Sequence, residues 1–238
     1  RFRFLFKKDP RVIIPKYYQE LSSKTVLTME YLDGMSITEF LDFCKDQEKK
    51  NKIAFIFIDL FFKQIFKHRI LHADPQFGNF KITYDGRLVL LDFGCCKILK
   101  KAYIKIYSDL IKKTVNKDWT NLFEVLSSIG MVTEKDSDET KGAIIKFFET
   151  LLVPFEKDYY KYGEGQIQKT LLKDINYYYS KVGIRIPKDF VYLDRVLAGL
   201  YHLLERLNAE GNLKKILEEY IFCILAKRDG GMVSRDWS

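Results

Sequence analysis

Apolar and polar positions along the 238-residue chain alternate between two periods, and the changes of period divide it into elements. Short β-prone runs at 12–14 and 25–30 are separated by Pro15 and the polar Ser22-Ser23-Lys24, and they read as neighbouring strands of a small sheet. Two such strands cannot stand alone. Ser36, with Glu39 three residues on, forms a capping box after Asp33-Gly34 and opens a helix running to about Cys44. A second helix is predicted over 50–68, where apolar residues recur at helical spacing. Between 80 and 92 the period shortens, and the strings KITY and RLVLLD flank Asp85-Gly86, a strong hairpin signal. Helical periodicity then returns, predicting helices at 99–116, 119–129, 136–152, 165–181, 188–208 and 211–227. Gly130, Pro154, Gly163, Gly183, Pro187 and Gly211 punctuate them.

This pattern predicts an α+β fold, mainly helical, and the composition agrees. With 47% apolar and 15% aromatic residues the chain can bury one sizeable core. The net charge of +8 is spread along the chain, which describes a solvated surface with a leaning toward phosphate-bearing ligands or an anionic membrane surface. Cys44, Cys95, Cys96 and Cys223 form no CxxC pair and no disulfide or zinc spacing, so a reducing, intracellular compartment is expected. The apolar stretch 53–66 is interrupted by Asp59, Lys63 and Gln64. It falls short of the roughly 18 apolar residues of a membrane span. The opening RFRFLFKKDP has no signal-peptide h-region or cleavage site, and the chain reads as an excised segment with any targeting information upstream.

Chemistry concentrates in LHADPQFGN at 71–79 and LDFG at 91–94. Kinase-type phosphoryl transfer needs a carboxylate at the acceptor and two oxygen ligands for Mg²⁺. Asp74, Asn79 and Asp92 have the matching order and spacing, H-x-D-x-x-x-x-N and then D-F-G after a hairpin. An Asp before Gly is usually only a turn, but order, spacing and intervening hairpin coincide here. Upstream, VLTMEYLDG at 26–34 reads as a strand entering a connector, which in a kinase joins the lobes. Met29, Glu30, Tyr31 and Leu32 would then face the adenine edge. No Ala-Pro-Glu follows Asp-Phe-Gly, so the peptide-docking platform of conventional protein kinases is not expected.

The run 10–97 resembles the UbiB family, also called ADCK-type or ABC-one atypical kinases, whose catalytic loop typically reads H-x-D-P-x-x-x-N. Residues 187–212, an Arg-bearing helix and an Asn-containing turn, resemble the family's C-terminal region more loosely. The resemblance implies a protein-kinase-like large lobe at 34–238, preceded at 1–33 by a remnant of the small lobe and the interlobe hinge. It implies Asp74 as the catalytic-loop carboxylate, Asn79 and Asp92 as magnesium ligands, His72 as a structural member of the loop, and ATP and Mg²⁺ as cofactors. A lipid or quinone-pathway acceptor, peripheral membrane association and no nucleic-acid partner also follow from it. The implied location is a mitochondrion, a plastid or the bacterial cytoplasm and inner-membrane surface. Gln76-Phe77 replaces the family's usual His-Pro, so any role of that His does not carry over.

The phosphate-covering loop, the strand Lys, its helix Glu and the family's Lys-x-Gly-Gln and Ala-rich segments do not occur in the chain, which is expected to hold half a catalytic site and to be inactive alone. The function expected of the full-length protein is an ATP-dependent phosphotransferase or ATPase supporting ubiquinone or other isoprenoid-quinone lipid metabolism. A nucleotide-responsive pseudokinase scaffold and an aminoglycoside- or choline-type phosphotransferase are the alternatives. Cys95 and Cys96 read as inert thiols, His68 and His202 as structural or surface residues, and Tyr177-Tyr178-Tyr179 as helix packing.

Overall fold

A computed structural model describes residues 1–163, 167, 169, 170 and 187–226. The helix expected at 165–181 and the tyrosine run within it lie almost wholly outside the described residues. Helix α1 (Phe2–Phe6) buries Phe2 and Phe6 and leads into strand β1 (Val12–Ile13). β1 does not pair with 25–30. It runs parallel to β5 (Leu88–Leu90), which pairs with β4 (Phe80–Ile82), and β4 with β2 (Met35–Ser36). The reason is burial: Leu88, Val89 and Leu90 are sealed from water and offer β1 an apolar edge, whereas Val26 and Leu27 are more than half exposed. Residues 25–30 contribute the isolated bridge Tyr17–Met29.

Helix α2 (Ile37–Phe43) starts at the predicted capping box, Ser36 accepting from the Glu39 amide and Glu39 from the Ser36 amide. Helix α3 (Gln47–Phe62) begins three residues before the expected start, because Asp46 caps the Lys49 amide. Its buried positions Ile53, Ala54, Ile56, Phe57, Ile58, Leu60, Phe61 and Phe62 wrap most of its circumference, so α3 is the central helix. Over Lys63–His68 it widens into a π-type turn, then stops at Arg69 in the left-handed conformation, φ 53°. A small antiparallel pair, β3 (Ile70–His72) with β6 (Cys96–Ile98), brackets the hairpin. The hairpin turns where expected, with Gly86 at φ 81° and the Thr83 amide bonded to Arg87 O.

Helices α4 (Lys101–Val115), α5 (Trp119–Ser128), α6 (Asp138–Glu156), α7 (Lys188–Arg206) and α8 (Leu213–Ala226) follow. A two-residue pairing joins β7 (Tyr160–Lys161) to β8 (Glu210–Gly211). α6 runs past Pro154 instead of ending before it, since Pro154 and Phe155 are buried and Phe155 meets Phe62 of α3 edge-on, 5.8 Å between rings. One core joins α3, the strands, α7 and the start of α8, and a smaller cluster links α4, α5 and α6 to Phe190 of α7.

Candidate active site

The loop between β3 and β4 is anchored on both sides by main chain. Ala73 N–H donates to Cys95 O at 2.7 Å, Asn79 N–H to Gln76 O at 3.0 Å, and Leu91 N–H to Asn79 O at 2.9 Å. The strand after the hairpin therefore returns beside the loop and sets Asp92 next to it. His72, buried beneath the loop, places ring Nε2 on Asp92 O, while its own amide donates to Gln64 Oε1 at 2.6 Å. Gln64 lies in the π-type turn, whose extra residue per turn brings this buried amide under β3. The Phe2, His72 and Phe93 rings pack together, Phe93 centred 5.0 Å from Phe2.

Above this base, Asp74 Oδ2 accepts from Asn79 Nδ2 at 2.9 Å and Asp74 Oδ1 from Arg195 Nη2 at 3.3 Å. Asp92 Oδ1 accepts from the Gly94 amide at 2.7 Å. Asp74 and Asn79 thus touch directly, and Asp92 joins them through the backbone of Leu91 and the His72 ring. With Nδ2 of Asn79 committed to Asp74, its Oδ1 is left as an acceptor, and Asp92 keeps a second carboxylate oxygen besides the one that accepts from Gly94. An amide oxygen and a carboxylate oxygen are hard donors of the kind Mg²⁺ takes when phosphates and water complete its shell. No group of three His, Cys, Asp or Glu suited to a metal occurs among the described residues. By donor type, Asn79 and Asp92 supply two hard oxygens, the number Mg²⁺ takes from protein when phosphates and water fill the rest of its shell.

Helix α7 holds the loop from outside through three positions on one face. Arg195 pairs with Asp74, Gly199 meets Pro75, and His202 stacks on Phe77 with rings 5.4 Å apart and 11° from parallel. A Cβ on Gly199 would press on Pro75 Cβ and come within 2.7 Å of its Cγ, so only glycine permits this approach. Spacings of four and three put 195, 199 and 202 on one stripe. The sequence reading noted an Arg-bearing helix here and left His202 as a structural residue, but nothing in it pairs Arg195 with an Asp 121 positions away.

The segment expected to face adenine leads into β2, which pairs with β4 on the edge opposite β5. Met29 sits in the bridge to Tyr17, Glu30 N–H donates to Lys16 O at 2.8 Å, and Glu30 Oε2 accepts from Lys16 N–H at 2.9 Å. Lys81 of β4 reaches back to it, its Nζ 3.4 Å from Leu32 O and 5.2 Å above the Tyr31 ring. Beside the site, burial pushes the Cys96 thiol up, Cys95 and Asp92 adding to it, and Cys96 donates to Phe93 O. A thiol so held is a poor nucleophile.

A small sheet capping a helical body, with an Asp–Asn loop answering an Asp-Phe-Gly strand end, is a kinase-like large lobe. The chain belongs to the ABC1 atypical kinase-like domain family, whose domain matches residues 1–126. It is 28% identical over 93% of its length to "Atypical kinase coq-8, mitochondrial" of Caenorhabditis elegans, covering 30% of that protein. It is 26% identical over 92% of its length to "Atypical kinase COQ8, mitochondrial" of Saccharomyces cerevisiae, covering 44% of it. A probable serine/threonine-protein kinase, abkA of Dictyostelium discoideum, is 27% identical over 91% of this chain and 40% of its own. The chain therefore spans less than half the length of these relatives. Among solved structures, Rv3197 of Mycobacterium tuberculosis, determined in complex with erythromycin, superposes with a TM-score of 0.71 at 20% identity, over 92% of this chain and 55% of that one. Among the described residues no helix is long and apolar enough to cross a membrane.

Proposed function

We propose that the intact protein uses ATP and Mg²⁺ in phosphoryl transfer to a small or lipid-like acceptor, or to water, in support of isoprenoid-quinone lipid metabolism. One observation carries this reading: Asp74 is held at both carboxylate oxygens, by Asn79 and by Arg195, beside the strand end that bears Asp92. A carboxylate fixed in that way can orient an acceptor hydroxyl and take its proton as the oxygen attacks. Asn79 Oδ1 and the Asp92 carboxylate would hold Mg²⁺, which supplies charge neutralisation on the phosphates when bound. His72 keeps Asp92 in register by bonding its main-chain oxygen, and Gln64 keeps His72 in place. Met29, Glu30, Tyr31 and Leu32 are the adenine-facing segment in this reading. The quinone-lipid setting and a mitochondrial or plastid location rest on the relatives, several of which are named as mitochondrial or chloroplastic.

The test measures phosphate release and labelling of Ser/Thr peptides in parallel on the intact protein. Asp92→Asn is expected to lower Mg²⁺-dependent turnover at least about a hundredfold, and Asp74→Asn to slow turnover while nucleotide affinity is kept. Phosphate release unchanged by Asp92→Asn would remove the metal role and favour a nucleotide-responsive scaffold. Strong peptide labelling would overturn the small-acceptor reading and place the protein with the Dictyostelium relative's printed description.

A further inference from the structure

A cavity of about 330 Å³ lies away from this site and shares no residue with it. Two cavities in the core, one near Pro75 and one near Tyr201, hold about 40 Å³ each. The larger one opens between α2, the first turns of α3 and the tip of the β4–β5 hairpin, beyond the end of β4 that is remote from Asn79. Its floor is apolar and sealed, with Phe40, Ile53 and Ile82 at 5%, 2% and 0% exposure. Its rim carries Phe43 and Tyr84, each about three-quarters in water, 75% and 74%. Aromatic rings left in water at the mouth of an apolar cavity gain when an apolar body covers them.

The mouth carries two lysines and one carboxylate. Lys49 and Lys52, three apart on α3, both line the cavity. Lys49 Nζ is 3.8 Å from Asp46, whose other oxygen caps the helix, and Lys52 has no ion pair among the described residues. The acidic group at the rim, Asp85, is taken up by Arg87 at 2.8 Å and by the Thr83 hydroxyl. The lysines therefore face the cavity with no carboxylate of its own lining left to answer them.

The geometry points to a second binding site here, for an anionic amphiphile whose apolar body lies on Phe40, Ile53 and Ile82 and whose carboxylate or phosphate head meets Lys49 and Lys52. At the roughly 30 Å³ a water takes up, the space holds on the order of ten non-hydrogen atoms, which suits a ten-carbon chain. The volume sits at the lower end of small-ligand pockets, about 300–1,000 Å³. Met35 of the lining begins β2, directly after the segment from Met29 to Gly34, so an occupant would also brace the proposed adenine-facing connector.

Cys44 in the lining provides a local reporter, with Cys96, exposed, outside the cavity and slow to label, as an internal reference. Maleimide labelling of the intact protein, followed cysteine by cysteine by mass spectrometry, would be run with decanoate, decyl phosphate, decanol and inorganic phosphate below micellar concentrations. Decanoate, decyl phosphate or both are expected to slow Cys44 labelling at least fivefold and leave Cys96 unchanged. Protection by one of the two supports the site and assigns its head group. Lys49→Gln with Lys52→Gln should abolish the protection without shifting the melting curve, and Lys52→Glu alone, one exposed charge reversed, should act in the same direction. No protection by either anion, equal protection by decanol, equal protection by inorganic phosphate, or protection that survives both sets of variants would overturn the proposal.

Discussion

Arg195 shows how one side chain can matter to the site without belonging to the core. Its side chain is 60% exposed, so its pair with Asp74 contributes little to stability, under about 1 kcal/mol. In the proposed reaction it is a positioning residue. Arg195→Ala should leave the melting curve within about 0.5 kcal/mol of the wild type. It should lower kcat roughly tenfold while leaving the nucleotide KM unchanged, and Arg195→Lys should restore part of the loss. Steady-state kinetics on the intact protein decide it, an unchanged kcat removing the role. Its neighbour Asp194 points to a different behaviour. Burial alone pushes the Asp194 carboxyl up to about 7. The folded state then binds this proton more tightly than the unfolded chain does. Its contribution is present at low pH and is lost as pH rises from about 4 toward 7. Asp194→Asn should flatten that part of the stability–pH curve, measured by denaturant melts at successive pH values.

At the scale of elements, α7 acts as the outer wall of the catalytic loop, and Gly199 sets how near it comes. In an isolated helix Gly→Ala is favourable by about 1 kcal/mol. Here the added Cβ meets Pro75, so Gly199→Ala should destabilise instead and should move Asp74 from its place between Asn79 and Arg195. The expected result is a lower melting temperature together with a fall in turnover. A more stable variant of full activity would show that α7 can retreat at no cost. The π-type turn after α3 matters in the same way: it places Gln64, and through Gln64 the amide of His72, in a position that a regular helix would not reach.

For the molecule as a whole, the N-terminal segment is tied to the central and last helices by a charged cluster. Asp9 binds Arg11 and Lys63, Asp59 binds the same two cations, and the Tyr220 hydroxyl of α8 donates to Asp59. Burial alone would raise both carboxyls. In Asp9 the hydrogen bonds from Arg11 and Lys63 outweigh it, and in Asp59 those from Tyr220, Lys63 and Arg11 do, so both are held below the usual carboxylate range. Their stabilisation is complete above about pH 4 and is lost as pH falls through the lowered folded values. Asp59→Asn, which leaves two partly buried cations with one carboxylate, should cost about 2 kcal/mol at pH 7 and much less at pH 3. Melting at both pH values checks this, and an equal cost at each would contradict it.

The local periods were legible because they depend on neighbours in sequence. The Ser36 capping box, the Asp85-Gly86 hairpin and most helix bounds follow from residues within a few positions of one another, and so did the order and spacing of Asp74, Asn79 and Asp92. The pairing of β1 was not legible, because Val12–Ile13 and 25–30 have the same local character and only the sealed surface of β5 decides between them. Pro154 marked a helix end by its chemistry, and contact with α3 overruled it. The sequence by itself determined the helical body, the hairpin and the oxygen-bearing residues of the site, since these rest on short-range sterics and hydrogen bonding. Only the tertiary structure decided that Arg195, Gly199 and His202 grip the catalytic loop, that Gln64 steadies His72 and that two lysines guard an apolar cavity, because those contacts depend on which faces meet after the chain has folded.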